Sequence, residues 1–468
     1  MSAHAEHHMA FRDILKKDVV KRQYQGFVLP FFDRRALLVF VDALLVLLSV
    51  GGAILLWQPA TNLPSAIGNV QAYWYWFPIM LGGWWALAWL IDLYDIPTSN
   101  GKALSAMRVV IVGVLLLGVY LVLSLMVPNV PSRIFVIYFL LIALPTITLW
   151  RWTYAVVSNT APFRHYVLVI GEDEKERFIA NALKQRSANY QVLGYADLPH
   201  LLRQRRIHEI VVAGGGNPEL DNNLFHLLPD CRAEGVRVSR LPDLYEKLYR
   251  STPVLQIDNN WALGAMQDMP VFGILSVSIK RLIDVLLGLA GLMVFILVLP
   301  VTALAIRLDS PGTVFYRQVR SGRAGKPFSI LKFRTMYSDA ERDGQPRWAT
   351  RDDDRITRVG RLLRKTRLDE VPQVINVLRG EMSVIGPRPE RPEFVQNLQQ
   401  MIPFYRTRLA VKPGLTGWAQ IHYPYGNTVE DALIKLQYDF YYLRHWSVWL
   451  DLYVLFQTFG VMLKFKGT

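Results

Sequence analysis

Four long apolar stretches occupy the first third of the chain, at residues 36–57, 73–91, 109–127 and 134–154. Nothing else in the sequence limits the fold as much. Each approaches the ~20 apolar residues that an α-helix needs to cross ~30 Å of hydrocarbon. No small-residue cleavage site follows any of them, and a signal peptide would not recur four times. Basic residues set their sidedness. Lys16, Lys17, Lys21, Arg22, Arg34 and Arg35 precede the first stretch, whereas residues 58–72 contain no Lys or Arg. Lys102 and Arg108 lie between the second and third, Arg151 and Arg164 attend the end of the fourth, and Arg133 alone marks the other outer loop. The positive-inside rule then places the N-terminus and everything after Tyr154 in the cytoplasm. Trp74, Trp76, Trp84, Trp85 and Trp89 crowd the second stretch, as befits side chains that settle at membrane interfaces. Only 19% of residues are charged, below the ~25% of soluble proteins, and the net charge of +14 points to anionic partners. Cys231 is the single cysteine, which excludes a disulfide scaffold. His4, His7 and His8 read as a terminal tail rather than a metal site.

From His165 the texture changes to short apolar runs alternating with polar helices. Residues 166–170, 210–213 and 236–239 read as buried parallel strands and 174–186 as a helix, so a Rossmann-like, doubly wound α/β domain is expected over 163–250. After Gly171 come Glu172, Asp173 and Glu174 instead of the further glycines that admit a pyrophosphate. No dinucleotide is therefore expected there, and a scaffold or dimerisation role fits better.

A fifth apolar run covers 282–306. Lys280 and Arg281 guard its entrance, and Arg307, Arg317, Arg320 and Arg323 follow its exit. Basic residues on both flanks fit a re-entrant hairpin better than a fifth span. Pro300 supplies a hinge, because it removes one helical hydrogen bond and clashes with the carbonyl four residues back.

The chemistry concentrates between Ser310 and Leu415. Lys332 and Arg334 alternate along an expected strand, so both can face one phosphate; a charged edge strand is the plain reading. Residues 355–367, including Arg355 and Arg358, repeat arginine at spacings of three, with Lys365 four after Arg361, beside Leu362 and Leu363. This is a basic amphipathic helix suited to anionic headgroups, a solvated basic face or nucleic acid, and no nucleic-acid motif accompanies it. Next comes Leu368-Asp369-Glu370-Val371-Pro372. Pro372 belongs in the first turn of a helix, which puts Asp369 near its N-cap. Such an Asp is either a structural cap or, beside guanidiniums, an ionised nucleophile for phosphorus. Glu370 points elsewhere and suits Mg²⁺ or proton transfer. Arg388, between Pro387 and Pro389, is held ready for phosphate or marks a rigid turn. A glycine-rich loop over 412–420 is weak evidence by itself.

Lys332-Phe-Arg-Thr-Met336, Leu368-Asp-Glu370, Asn376-Val-Leu-Arg-Gly-Glu-Met-Ser383, Gly386-Pro-Arg-Pro389 and Lys412-Pro-Gly-Leu-Thr-Gly-Trp-Ala-Gln420 stand in this order. Together they resemble the bacterial sugar transferase family, the monotopic phosphoglycosyl transferases, from about Ser278 onward. The spans and α/β unit ahead of them, with Tyr423-Pro-Tyr-Gly426 and Leu436-Gln-Tyr-Asp-Phe-Tyr-Tyr442, look similar to the large members that start exopolysaccharide, capsule or O-antigen synthesis. The resemblance implies transfer of sugar-1-phosphate from a UDP-sugar, such as UDP-glucose or another UDP-hexose, to undecaprenyl phosphate, with UMP released and Mg²⁺ required. It makes Asp369 the nucleophile, Glu370 its catalytic partner, both of them Mg²⁺ ligands, and Lys332, Arg334 and Arg388 substrate contacts, with Arg355 and Arg358 as further candidates. Where the family usually places a Ser-Pro pair at the hairpin break, this chain has Ile296-Leu297, with Pro300 about one turn later.

The expected protein is a membrane α+β chain in the bacterial inner membrane, with its catalytic domain facing the cytoplasm. Its parts are an N-terminal segment (1–35), a four-helix transmembrane domain (36–157), the α/β domain, a linker (251–277), and a catalytic domain (278–468) containing a re-entrant helix (281–307) and amphipathic interfacial helices. Membrane lipid and a second copy, in a homodimer, are its expected partners, and nucleic acid is not. The rival readings are a membrane-anchored nucleotide-sugar dehydratase or epimerase and a non-catalytic membrane scaffold. The first needs a glycine-rich NAD loop and a Tyr with a Lys four residues later, and the sequence has neither.

Overall fold

The computed structural model describes residues 31–58, 63–95, 99, 101–126, 133–158, 165–171, 173–186, 190–193, 207–213, 229, 232–233, 236–269, 273–338, 340, 353–423, 426 and 428–463. His4, His7, His8, the basic residues 16–22, Arg164, Glu172, Cys231, Pro424 and Tyr425 lie outside this set. The chain divides between Leu241 and Pro242 into two compact units.

The first unit opens with α1 (Phe31–Trp57), α2 (Leu63–Ala72), α3 (Trp76–Leu90), α4 (Lys102–Met126) and α5 (Arg133–Ser158). Val46, Trp84, Val112, Phe135 and Phe139 fill the bundle, while Leu48, Val114, Leu125 and Leu141 stay exposed. Exposed apolar faces are what a lipid environment tolerates. Within α1, α4 and α5, Arg34–Trp57, Lys102–Leu125 and Arg133–Ser158 are long and apolar enough to cross a membrane.

The expected second span comes out shorter. At 15 residues α3 measures about 22 Å. Pro78 sits in its first turn, where a missing N–H costs nothing. At the other end Asp92 turns left-handed (φ 53°), and Leu93, Tyr94 and Ser99 fold back into the interior. The buried Arg151 holds that return, donating to the Leu93 carbonyl (3.2 Å) and Ser99 Oγ (3.1 Å) while pairing with Asp42.

Beyond the bundle, β1 (His165–Ile170), β2 (Tyr190–Leu193), β3 (Glu209–Val212) and β4 (Arg237–Arg240) form an all-parallel sheet in the order β2-β1-β3-β4. Parallel strands require crossovers, and α6 (Asp173–Arg186) supplies the one between β1 and β2. Gly171 has a local reason: a Cβ there would come within 2.6 Å of Ala213 Cβ.

Helix α7 (Leu241–Tyr249) leads into the second unit. Its Asp243 and Glu246 pair with Arg444. The expected linker contains a packed helix, α8 (Asn259–Gln267), capped by Asp258 and buried through Trp261 against Phe440.

The fifth apolar run is one helix, α9 (Ile274–Asp309), with Pro300 inside it and no interruption at the expected hinge. Among the described residues, Leu275–Asp309 is the fourth helix long and apolar enough to cross a membrane. Its two faces differ. Leu282, Leu286, Leu289, Met293, Leu297, Val301, Leu304 and Leu308 are exposed at helical spacing. On the other face Lys280 bonds Asp451 (2.6 Å), Arg281 donates to the carbonyls of Val377 and Leu378, and Asp284 accepts from Ser383 Oγ and Val384 N. A Cβ on Gly288 or Gly291 would strike Leu378 or Val374, Phe295 and Ile306 pack with Phe333, and Asp309 accepts from Val359 N. Both ends of α9 are thus fastened to the same unit.

Asp284 is 5% exposed and satisfies two donors. Asp284→Ala should therefore cost about 1–3 kcal/mol, because a buried N–H is left unpaired. A lowered Tm in detergent, with secondary structure retained, is the expected measurement.

The remaining elements are the hairpin β5 (Phe315–Ser321) and β6 (Pro327–Phe333), α10 (Arg358–Thr366), α11 (Val374–Arg379), β7 (Ser383–Ile385), α12 (Pro392–Met401), β8 (Gly414–Thr416), α13 (Trp418–His422), α14 (Val429–Arg444) and α15 (Val448–Leu463). On α15 Trp449 and Phe456 are exposed, whereas Asp451 is buried against Lys280, Tyr442 and Trp446. Its charge therefore gives α15 no polar outer face.

Candidate active site

Lys332 lies near the end of β6, opposite Tyr316 of β5. Asn376 of α11 fixes that strand, donating to Ser329 O (2.8 Å) and accepting from Leu331 N (3.1 Å). From this strand Lys332 Nζ reaches Glu370 Oε1 at 2.9 Å.

The segment carrying Glu370 is shaped by its ends. Thr357 caps α10 by accepting from Gly360 N, and Gly360 must be glycine because a Cβ would sit 2.0 Å from Thr335 O. α10 stops at Arg367, which is left-handed (φ 57°). A 3₁₀ helix over Leu368–Gln373 follows and runs into α11, which ends at Gly380 (φ 83°). Arg367, not Asp369, occupies the N-cap position; Asp369 and Glu370 lie in the first turn.

Arg388 approaches from the other side. β7 and β8 pair in parallel, and three glycines let their exits close. A Cβ on Gly386, Gly414 or Gly417 would lie within 2.6 Å of backbone atoms of the facing segment. The glycine-rich loop is therefore a backbone-contact device. It supports Pro387-Arg388-Pro389, and Arg388 Nη2 donates to Glu370 Oε1 at 2.6 Å. Arg367 Nη1 stands 3.7 Å from Glu370 Oε2.

The two carboxylates differ accordingly. Burial alone would raise the Glu370 carboxyl, but Arg388 and Lys332 outweigh it and hold the group well below the usual carboxylate range. Asp369 is equally buried. Burial, together with the Glu370 charge, pushes it up to about 6 against the pull of Lys332, Arg364 and Arg388. Among the described residues no side chain donates a hydrogen bond to it. Lys332, Arg364, Arg367 and Arg388 around Asp369 and Glu370 leave a surplus of positive charge.

The profile of the bacterial sugar transferase family matches residues 275–465. The chain is 36% identical over 260 residues to a UDP-N-acetylgalactosamine-undecaprenyl-phosphate N-acetylgalactosaminephosphotransferase of Aeromonas hydrophila, covering 56% of this chain and 60% of that protein. It is 44% identical over 288 residues to a UDP-glucose:undecaprenyl-phosphate glucose-1-phosphate transferase of Klebsiella pneumoniae, covering 60% of each. An uncharacterized sugar transferase of Bacillus subtilis is 37% identical over 193 residues, 40% of this chain and 89% of that protein. The chain belongs to the bacterial sugar transferase family. It spans 60% of the length of the first two relatives.

In this sugar transferase the expected site residues divide. Asp369, Glu370, Lys332 and Arg388 come together. Arg334 does not join them: it is buried and donates to the carbonyls of Ser310 (2.7 Å) and Pro311 (2.7 Å). Arg355 forms a two-point pair with Asp353, and Arg358 is exposed at the start of α10. Pro300 lies on α9. Arg364 and Arg367, read from sequence only as part of a basic helix, supply charge to the site. No group of three or more His, Cys, Asp or Glu is placed to hold a metal ion among the described residues.

Proposed function

We propose that this protein transfers a hexose 1-phosphate from a UDP-sugar to undecaprenyl phosphate, releasing UMP, through an aspartyl phosphosugar on Asp369. The observation that carries the reading is a buried carboxylate, Asp369, set among Lys332, Arg364 and Arg388 and given no side-chain hydrogen-bond donor among the described residues. Those cations attract the diphosphate, and Glu370 holds Lys332 and Arg388 in place. An Asp369 oxygen attacks the sugar-linked phosphorus, and the bond from that phosphorus to the bridging oxygen breaks, so UMP departs with the electron pair. An oxygen of undecaprenyl phosphate then attacks the same phosphorus and displaces Asp369, leaving the sugar on a lipid diphosphate. Two steps bring the bulky anions in one at a time. The relatives' names include both glucose and N-acetylgalactosamine donors, so UDP-glucose and UDP-N-acetylgalactosamine are the donors to compare.

Mg²⁺ commonly binds one or two carboxylates plus substrate phosphates. Glu370 is taken by cations, so Asp369 and the donor diphosphate would hold the ion, which would offset charge on the phosphate oxygens.

The two-faced α9 suits a helix seated in one leaflet of the bilayer without crossing it. One face meets lipid along its length, and the basic ends, Lys280 and Arg307, remain at the same surface. Asp369 would then lie at the cytoplasmic face of the bacterial inner membrane, where a soluble donor meets a lipid phosphate. Initiation of exopolysaccharide synthesis is the corresponding role.

Purified protein should release UMP catalytically from a UDP-hexose only with undecaprenyl phosphate present, and a single stoichiometric burst without it. Release of UDP in place of UMP would overturn the proposal.

A further inference from the structure

Arg408 and Asp439 form a buried pair away from the carboxylates. Arg408 is 5% exposed on a 3₁₀ turn over Tyr405–Ala410, and Asp439 is 1% exposed on α14. Their charged atoms lie 2.9 Å apart. Buried ion pairs contribute little net stability, because desolvation offsets most of their attraction. What distinguishes this one is its third contact: Arg408 Nη2 also donates to the main-chain carbonyl of Arg388 at 3.0 Å. Nη1 meanwhile donates to Tyr405 Oη at 2.7 Å, so the guanidinium plane is fixed.

The neighbouring carbonyls are held too. Pro387 O accepts from Gly414 N (2.9 Å) and Pro389 O from Arg320 Nη1 (3.2 Å). Three consecutive carbonyls are thus each fastened, and the prolines restrict the backbone between them. The middle fastening is the one made by a charged group sealed from solvent. Arg388 has a long side chain whose end must meet Glu370 Oε1, and a small rotation of its backbone would move that end by ångströms.

We propose that Arg408, charge-paired with Asp439 and oriented by Tyr405, is a positioning residue that sets the Pro387–Pro389 segment so that Arg388 reaches Glu370 and the donor phosphate. The proposal rests on the placement of Arg388 in the transferase site. It gives the pair a specific function: Arg408 acts on turnover through Arg388 and by no other route.

A double-mutant cycle tests this. Arg408→Lys keeps a positive charge for Asp439 but replaces the planar fork with a point charge that cannot fix the carbonyl in the same geometry. With Arg388 present, the substitution should lower kcat for UMP release about tenfold or more, since misplacement of a positioned group costs rate steeply. In an Arg388→Ala background, followed by labelled UMP over long incubations, it should change kcat by less than about twofold, because coupled sites are not additive. Multiplicative losses in both backgrounds would overturn the proposal and leave Arg408 a general packing residue. Full activity of Arg388→Ala would instead remove Arg388 from the proposed mechanism, and this inference with it. Should Arg408→Lys fail to fold, as read by Tm, Asp439→Asn enters the same cycle with the same two criteria.

Discussion

Asp369→Asn is expected to lower UMP release by more than about 1,000-fold, the scale on which removal of a covalent nucleophile acts. The substitution is nearly isosteric and leaves Glu370, Lys332 and Arg388 paired, so the scaffold persists. Its effect on stability has a definite sign. The folded protein holds Asp369 at about 6, above its ordinary 3.8, so ionisation of this side chain opposes folding. That penalty develops as pH rises from about 4 to about 6, and Asn does not incur it. Above pH 7 the variant's Tm should equal or exceed that of the unchanged protein, with any advantage vanishing below pH 4. Donor labelled in the sugar-linked phosphate should tag the unchanged chain at residue 369 when the lipid is withheld, and the variant should take no label. A fully active variant, or a tag found on another residue, would remove the nucleophile assignment.

The parts of this molecule legible in its sequence are those decided by local pattern. Hydropathy locates α1, α4 and α5, and short apolar runs locate β1, β3 and β4, because burial of a strand or span leaves a mark on every residue in it. The shortness of α3 is less visible, since its end depends on Arg151 of α5 reaching the Leu93 carbonyl. In α9 window-averaged hydropathy conceals two unlike faces: Gly288 and Gly291 admit α11 on one side, and Leu289 and Met293 lie exposed on the other. Alternation groups Lys332 with Arg334, but β6 ends at Phe333, and Arg334 turns back to Ser310 and Pro311. The proline rule expects Pro372 in the first turn of a helix; it is instead the fifth residue of the 3₁₀ segment Leu368–Gln373, whose start is decided by the left-handed Arg367, which spacing does not reveal. Spacing also gathers the arginines of 355–367 without showing that Arg364 and Arg367 serve the carboxylates while Arg355 closes on Asp353. Motif order points to Asp369 and Glu370, and tertiary structure supplies their inequality.

That inequality governs the second large effect, expected for Glu370→Gln. Glu370 is the shared counter-charge of Lys332, Arg388 and Arg367. Removing it leaves buried positive charge unopposed, at a cost on the order of 3 kcal/mol. Because the folded protein holds this carboxyl below its ordinary 4.5, its contribution is complete above that pH and is lost as pH falls further. The variant's Tm deficit should accordingly be full at neutral pH and shrink in acid. Turnover should fall steeply as well, since Lys332 and Arg388 lose the group that aligns them. The pH profile separates this from simple damage. In the unchanged protein kcat/KM should decline below about pH 6 as Asp369 takes up a proton. Glu370 is the like charge that helps hold Asp369 there, and Lys332 and Arg388 act in the opposite direction. With Gln at 370 the repulsion disappears while the cations remain, so the residual activity should keep its acid limb at a lower pH. An acid limb that stays near 6 would mean that the two carboxylates do not share one electrostatic site.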